Sequence, residues 1–175
     1  MLRAFFFEFT FGQIKNVMNF KLLFWLTTLF VFIMLLFKYL KLGLIKVFSK
    51  NITPNFKWGE FISKDGVAIP ENLKPNVIEV CKNLEIIRKE VGNKPIKVHS
   101  GFRSFKHNAE VGGRMNSYHL QGKAADISVK GMTSKELYDT IIRLMDEGKI
   151  KAGGVGLYAT FVHYDIRGTK VTFKG

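Results

Sequence analysis

Ser117-Tyr118-His119-Leu120-Gln121-Gly122-Lys123-Ala124-Ala125-Asp126 and, further on, Phe161-Val162-His163-Tyr164-Asp165-Ile166-Arg167 decide the reading of this chain. Between them they offer two imidazoles and a carboxylate, in an order that suits a zinc ion with one position left open. Three protein ligands plus water is the catalytic arrangement, whereas structural zinc takes four, often cysteines. Cys81 is the single cysteine of the sequence, so neither a cysteine-rich cage nor an internal disulfide is available. The pattern points to hydrolysis.

In the second stretch a period of two puts Val162, Tyr164 and Ile166 on one strand face and Phe161, His163, Asp165 and Arg167 on the other. The apolar face can bury itself while the His-x-Asp-x-Arg face lines a cleft, or simply carries an Asp165–Arg167 ion pair. In the first stretch His119 and Asp126 are too far apart for one helical face. A turn at Gly122, followed by the small Ala124 and Ala125, would bring His119 back beside a strand bearing Asp126. Asp126 sits among Ala125, Ile127 and Val129, where an unpaired carboxylate is costly. Metal ligation or a hydrogen-bonded structural role would each remove that cost.

The bulk properties narrow the partners. At 175 residues with a formal net charge of +13, the chain fits one domain plus an appendage and favours anionic partners such as nucleic acid, acidic lipid or an acidic wall polymer. No stripe of Arg and Lys interleaved with aromatics is present, so nucleic acid is not expected. A monomer is expected. Cys81 falls on the apolar stripe of an expected helix and reads as a buried thiol.

Leu22–Phe37 (LLFWLTTLFVFIMLLF) holds no charge, and apolar character continues past Lys38 and Lys41. About 20 apolar residues span a bilayer, with flanking lysines able to snorkel. The expected organisation is therefore a membrane anchor or signal-like segment over residues 1–50 and a soluble domain over 51–175. A cleaved export signal starting near Met18 competes, although no small-residue cleavage site follows closely. Orientation is contested. Lys15 and Lys21 precede the apolar run, while Lys38, Lys41, Lys46 and Lys50 follow it, which favours a cytoplasmic C-terminal domain.

Beyond an expected linker at Asn51–Asn55, the pattern predicts a helix over Pro75–Val91, with Val77, Cys81, Leu84, Ile87 and Val91 on its inner stripe. A short strand over Ile96–His99 should lead into a short helix capped by Ser104. A strand over Ala124–Val129 precedes a helix opened by the capping box Thr133-Ser134-Lys135-Glu136. Strands are expected at Val155–Tyr158, Phe161–Arg167 and Val171–Phe173, the last after a turn at Gly168-Thr169. These elements imply a compact α+β domain with a small antiparallel sheet and flanking helices, preceded by an N-terminal hydrophobic helix.

Several motifs occur in a fixed order: Ser100-Gly101-Phe102-Arg103-Ser104, His107-Asn108, Val111-Gly112-Gly113, Ser117-x-His119-x-x-Gly122-x-Ala124-x-Asp126, Gly153-Gly154-Val155-Gly156-x-Tyr158 and Phe161-Val162-His163-x-Asp165-x-Arg167-Gly168. Together they resemble the zinc D-Ala-D-Ala carboxypeptidases, within the superfamily shared with lysostaphin-type peptidases and hedgehog domains, and look most like small bacterial and bacteriophage members. The resemblance covers about Asn55 to Arg167. It implies a peptidase acting on the peptidoglycan stem peptide, with Zn2+ held by His119, Asp126 and His163. It also implies substrate contacts from Arg103, Ser117 and Tyr158, with Arg103 pairing to a carboxylate or polarised carbonyl.

One departure stands out. Many family members carry an acidic general base three positions before the last zinc histidine, and here that position is Thr160. Asp165 is then the nearest acidic candidate for the base, or else it orients a ligand from behind. Thr160 also motivates an alternative, a membrane-tethered wall-binding domain that kept the fold and lost turnover. The facial triad of iron(II) oxygenases uses the same residue types, but His163-x-Asp165 lies near the end with no later histidine, which disfavours it. His99 and His107 read as structural, with His99 close to the cleft.

Overall fold

The computed structural model describes residue 22, residues 24–38 and residues 50–175. The chain divides into two units, Met1–Ser49 and Lys50–Gly175. In the first, residue 22 and residues 24–38 are helical (α1), with Phe24, Trp25, Phe30 and Phe37 exposed. Residue 23, the start near Met18 and the apolar continuation over 39–45 lie outside the described residues. The expected membrane span is not recovered: among the described residues no helix is long and apolar enough to cross a membrane.

The second unit is a mixed α+β fold. Two 3-10 turns, Trp58–Glu60 and Glu71–Leu73, lead into α2 (Lys74–Glu90), then β1 (Ile96–Ser100), α3 (Phe105–Glu110), β2 (Ala124–Val129), α4 (Ser134–Asp146), β3 (Gly154–Leu157), β4 (Val162–Asp165) and β5 (Val171–Lys174). Pro75 occupies the first turn of α2, where its missing N–H costs nothing. Val77, Val80, Cys81, Leu84 and Ile87 form its buried stripe. Ser104 caps α3 by accepting from His107 N, and Thr133 and Glu136 close the capping box of α4.

The five strands lie in the order β1-β2-β4-β3-β5. Three neighbouring pairs are antiparallel, but β3 and β5 run parallel, unlike the antiparallel sheet expected. The reason is topological. Both sides of β4 are already taken by β2 and β3, so the turn after β4 delivers the chain to the free edge of β3, pointing the same way as β3.

One sheet face carries the core. Ala125, Ile127, Val155, Val162 and Tyr164 pack there with Val77, Leu84, Ile87, Leu137, Ile141 and Leu144, all between 0 and 1% exposed. Each such aliphatic side chain contributes about 1.5–3 kcal/mol through burial. A one-residue slip of β4 would turn Val162 and Tyr164 outwards, so the core sets the register. That register aims Asp126, His163 and Asp165 at the opposite face. The expected linker Asn51–Asn55 is not free: Glu85 on α2 accepts from Thr53 Oγ1 at 2.7 Å and from Asn55 N at 2.9 Å and Nδ2 at 2.7 Å.

Candidate metal centre

On the face away from the core, four cross-strand pairings line up in one row: Ser100 opposite Asp126, Asp126 opposite His163, His163 opposite Gly156, and Gly156 opposite Phe173. Asp126 and His163 are therefore neighbours by register alone. His119 comes from the loop before β2. That loop turns through Leu120 N to Ser117 O at 3.2 Å, Gly122 N to His119 O at 3.1 Å and Lys123 N to Tyr118 O at 2.9 Å, with Gly122 at φ +64. Ser117 Oγ accepts from His119 N at 3.3 Å, and Arg103 N donates to His119 O at 3.1 Å, so Ser117 serves the loop that presents the imidazole.

Three donor atoms converge. His119 Nε2 lies 3.2 Å from Asp126 Oδ1 and 3.2 Å from His163 Nδ1, and the latter two are 2.9 Å apart. Ligands at tetrahedral zinc distances would be about 3.3 Å from each other. The far nitrogens settle which ring atoms face inward. His119 Nδ1 is 2.6 Å from the carbonyl of Gly101, which can only accept, and His163 Nε2 is 3.1 Å from the Asp165 carboxylate. Each far nitrogen therefore carries its proton, and each near nitrogen of the neutral ring offers a lone pair. Two lone pairs and a carboxylate oxygen pointed at one spot repel unless a cation lies between them. The residues fit a metal ion.

The surroundings hold the anions charged. Burial opposes ionisation of Asp126, but the imidazoles of His119 and His163 beside it outweigh burial and keep its carboxyl well below the usual range. Burial lowers the His119 pKa, with Asp126 pulling the other way. For His163 burial also pulls downwards, yet the Asp126 and Asp165 carboxylates beside it leave it raised. Arg103, on the loop after β1, donates from Nε to Ser100 Oγ at 2.9 Å and from Nη2 to Asp126 Oδ2 at 2.5 Å. It thus stands beside the cluster, sharing the second oxygen of Asp126.

Asp165 does not stand where a base would. It is fully buried and lies behind His163, on the side of the ring away from the cluster. Its Oδ1 accepts from Gly154 N at 2.9 Å and Arg167 Nε at 2.9 Å, and its Oδ2 from Arg167 Nη2 at 2.5 Å. Burial opposes its charge; the Arg167 and His163 hydrogen bonds outweigh that and depress its pKa. The Asp165–Arg167 ion pair is formed, but with Asp165 buried and not on an exposed face. Arg167 in turn packs over the Tyr118 ring at 4.5 Å.

Tyr158 lies two rows from the metal row, beyond the Leu157–Val162 pair, stacked on Phe161 with ring centroids 4.4 Å apart. His99 packs near Phe161 at 6.1 Å and meets Ser128 Oγ at 2.8 Å, beside the cluster but outside it. Thr160 is exposed. Sequence reasoning missed Phe173, whose ring is 5.6 Å from that of His163. Alternation along Val171–Phe173 marks it as facing one side, but parallel pairing with β3 carries no local signal. The Gly101 carbonyl was equally hidden, because a backbone acceptor leaves no trace in residue type.

A family model described as Peptidase M15 matches residues 54–165, and the chain belongs to that family. Over 54 residues it is 43% identical to the zinc D-Ala-D-Ala carboxypeptidase of Streptomyces albus G, covering 31% of this chain and 21% of that protein. Over 111 residues it is 32% identical to the probable peptidoglycan L,D-endopeptidase MepK of Haemophilus influenzae, covering 59% of this chain and 55% of that protein. The matches thus span about half or less of these curated relatives. The family, its zinc-dependent member and the His–Asp–His donor set make zinc the metal of this centre.

Proposed function

We propose that this chain is a zinc metallopeptidase that hydrolyses peptide bonds of bacterial peptidoglycan, as a D-Ala-D-Ala carboxypeptidase or a wall-peptide endopeptidase. The observation that carries the proposal is the convergence of His119 Nε2, Asp126 Oδ1 and His163 Nδ1, with both far ring nitrogens already engaged. Three protein ligands leave one coordination position for water or substrate. The names of the two relatives support a wall peptide as substrate.

When bound, zinc supplies Lewis-acid polarisation of the scissile carbonyl and acidifies a water molecule. The protein's own groups do the rest. Gly101 O and Asp165 hold the two imidazoles in the tautomers that ligation needs. Arg103 keeps a permanent positive charge beside the reacting carbonyl, where it stabilises negative charge developing on oxygen or pairs with a substrate carboxylate. Asp165 acts through His163 as a positioning residue. The stacked Tyr158 and Phe161 offer an apolar flank to the bound peptide.

The test is hydrolysis of purified wall peptides, read by mass spectrometry, for the wild type and for His119→Ala and His163→Ala. Both variants should lose zinc and product formation, while the wild type releases either a terminal residue or internal fragments. Full activity in either variant would refute the ligand assignment, and zinc-loaded wild type that binds wall peptides without cleaving them would favour the binding-domain alternative. We further propose that the unit works at the cell envelope, on the wall side of the membrane. Protease accessibility of residues 50–175 in intact spheroplasts checks this, and complete protection would place the unit inside.

A further inference from the structure

Phe173 occupies an unusual place for a residue on an edge strand. β5 is otherwise exposed, with Val171, Thr172 and Lys174 all open to solvent, yet Phe173 is half-buried. What covers it is the metal row itself. Phe173 pairs with Gly156, where any Cβ would overlap the Phe173 ring, so the glycine leaves the space that ring occupies. The ring thereby reaches 5.6 Å from the His163 imidazole. Residues 54–165 are those matched by the family model, so the match carries no information about Phe173.

The row therefore has a direction. Arg103, on Ser100 Oγ and Asp126, gives it a cationic end; Asp126 and His163 hold the metal in the middle; Phe173 gives it an aromatic end. A peptide laid along the row with its terminal carboxylate towards Arg103 would bring the residue that supplies the scissile carbonyl against Phe173. We propose that Phe173 is a specificity-determining residue: its ring forms the wall of the subsite on the β3–β5 side of the metal and selects an apolar side chain there. This rests on the peptidase reading above. Removing one well-placed apolar contact of this kind changes selectivity by roughly 10–200-fold.

The experiment uses the full-length, zinc-loaded protein and acetylated tripeptides ending in D-Xaa-D-Ala, with Xaa as glycine, D-alanine or D-leucine. Wild type should prefer the apolar residues over glycine. In Phe173→Ala that preference should fall about tenfold in kcat/KM, while the glycine peptide changes less than about twofold and zinc content stays at wild-type level. Equal losses for all three peptides, or no loss, would overturn the proposal. If Phe173→Ala sheds zinc or unfolds, Phe173→Leu keeps an apolar cover over Gly156 and must still shift the preference among the peptides; unchanged selectivity with full zinc overturns it. Dissociation constants for the same peptides give a readout that needs no turnover. Wild type that binds but never cleaves defeats the peptidase reading, and the ratio of those constants between wild type and variant then decides the subsite alone. Wild type that neither binds nor cleaves defeats both.

Discussion

The carboxylate of Asp165 lies 3.1 Å from Nε2 of His163, on the opposite side of the ring from the Nδ1 that faces Asp126 at 2.9 Å. One imidazole thus links a buried, arginine-paired carboxylate to the metal centre. The Asp165 carboxylate, itself held by Arg167, fixes the ring plane and the tautomer that leaves Nδ1 facing the centre.

Replacing Asp165 by Asn keeps the volume but removes the charge behind His163. Zinc affinity should fall by about 10–100-fold, measured by competition with a calibrated chelator. An unchanged affinity would show that the carboxylate does not act through the ring, and would return it to consideration as a base.

Chelation should destabilise the second unit, because the three donors crowd one another without a cation. Zinc held at about a hundred times its dissociation constant stabilises the folded state by about 2.7 kcal/mol, so stripping it should lower Tm by on the order of 10 °C. Calorimetry with and without chelator checks this; coincident transitions would mean the folded protein does not hold the ion.

Arg103→Lys keeps the charge but cannot span Ser100 Oγ and Asp126 Oδ2 together, since an ammonium lacks the planar fork. Peptide hydrolysis should drop by about 100-fold with zinc content retained. Loss of zinc in step with activity would assign Arg103 to holding Asp126 instead of stabilising the reacting oxygen.

Asp65 offers a pH test away from the metal. Its carboxyl accepts from Ser104 Oγ at 2.5 Å, and hydrogen bonds from Ser104 and Ser63 hold its pKa at about 2, below its ordinary value of 3.8. The folded-state value is depressed, so the stabilisation is complete above about pH 4 and is lost as pH falls towards 2. In urea unfolding, Asp65→Asn should be less stable than wild type at pH 5, with the gap closing near pH 2. A constant gap would show that the interaction is insensitive to protonation.

The chain's local chemistry made much of this legible in advance. Apolar residues at helical spacing marked α2, the Thr133–Glu136 box marked the start of α4, and alternation in Phe161–Arg167 separated the core face of β4 from its polar face. Gly122 announced the turn that returns His119 to β2. All these are interactions between residues close in sequence, so residue type and spacing record them directly. The apolar run over 22–37 was equally plain as composition, but among the described residues no helix is long and apolar enough to cross a membrane.

Tertiary pairing decided the rest. Asp165 looked like a base because it shares a strand face with His163, and only the Gly154 N–H and the Arg167 guanidinium showed that both its oxygens are engaged behind the ring. Phe173 came to lie beside His163 because β4 was already flanked on both sides, which sent β5 to the far edge of β3. By itself the sequence determined which side chains could bind a metal and on which strand face they lie, since both follow from local geometry. Which backbone carbonyl meets His119, which groups engage the Asp165 carboxylate and which aromatic ring lies beside His163 depend on contacts between distant segments, and those exist only once the strands have found their register.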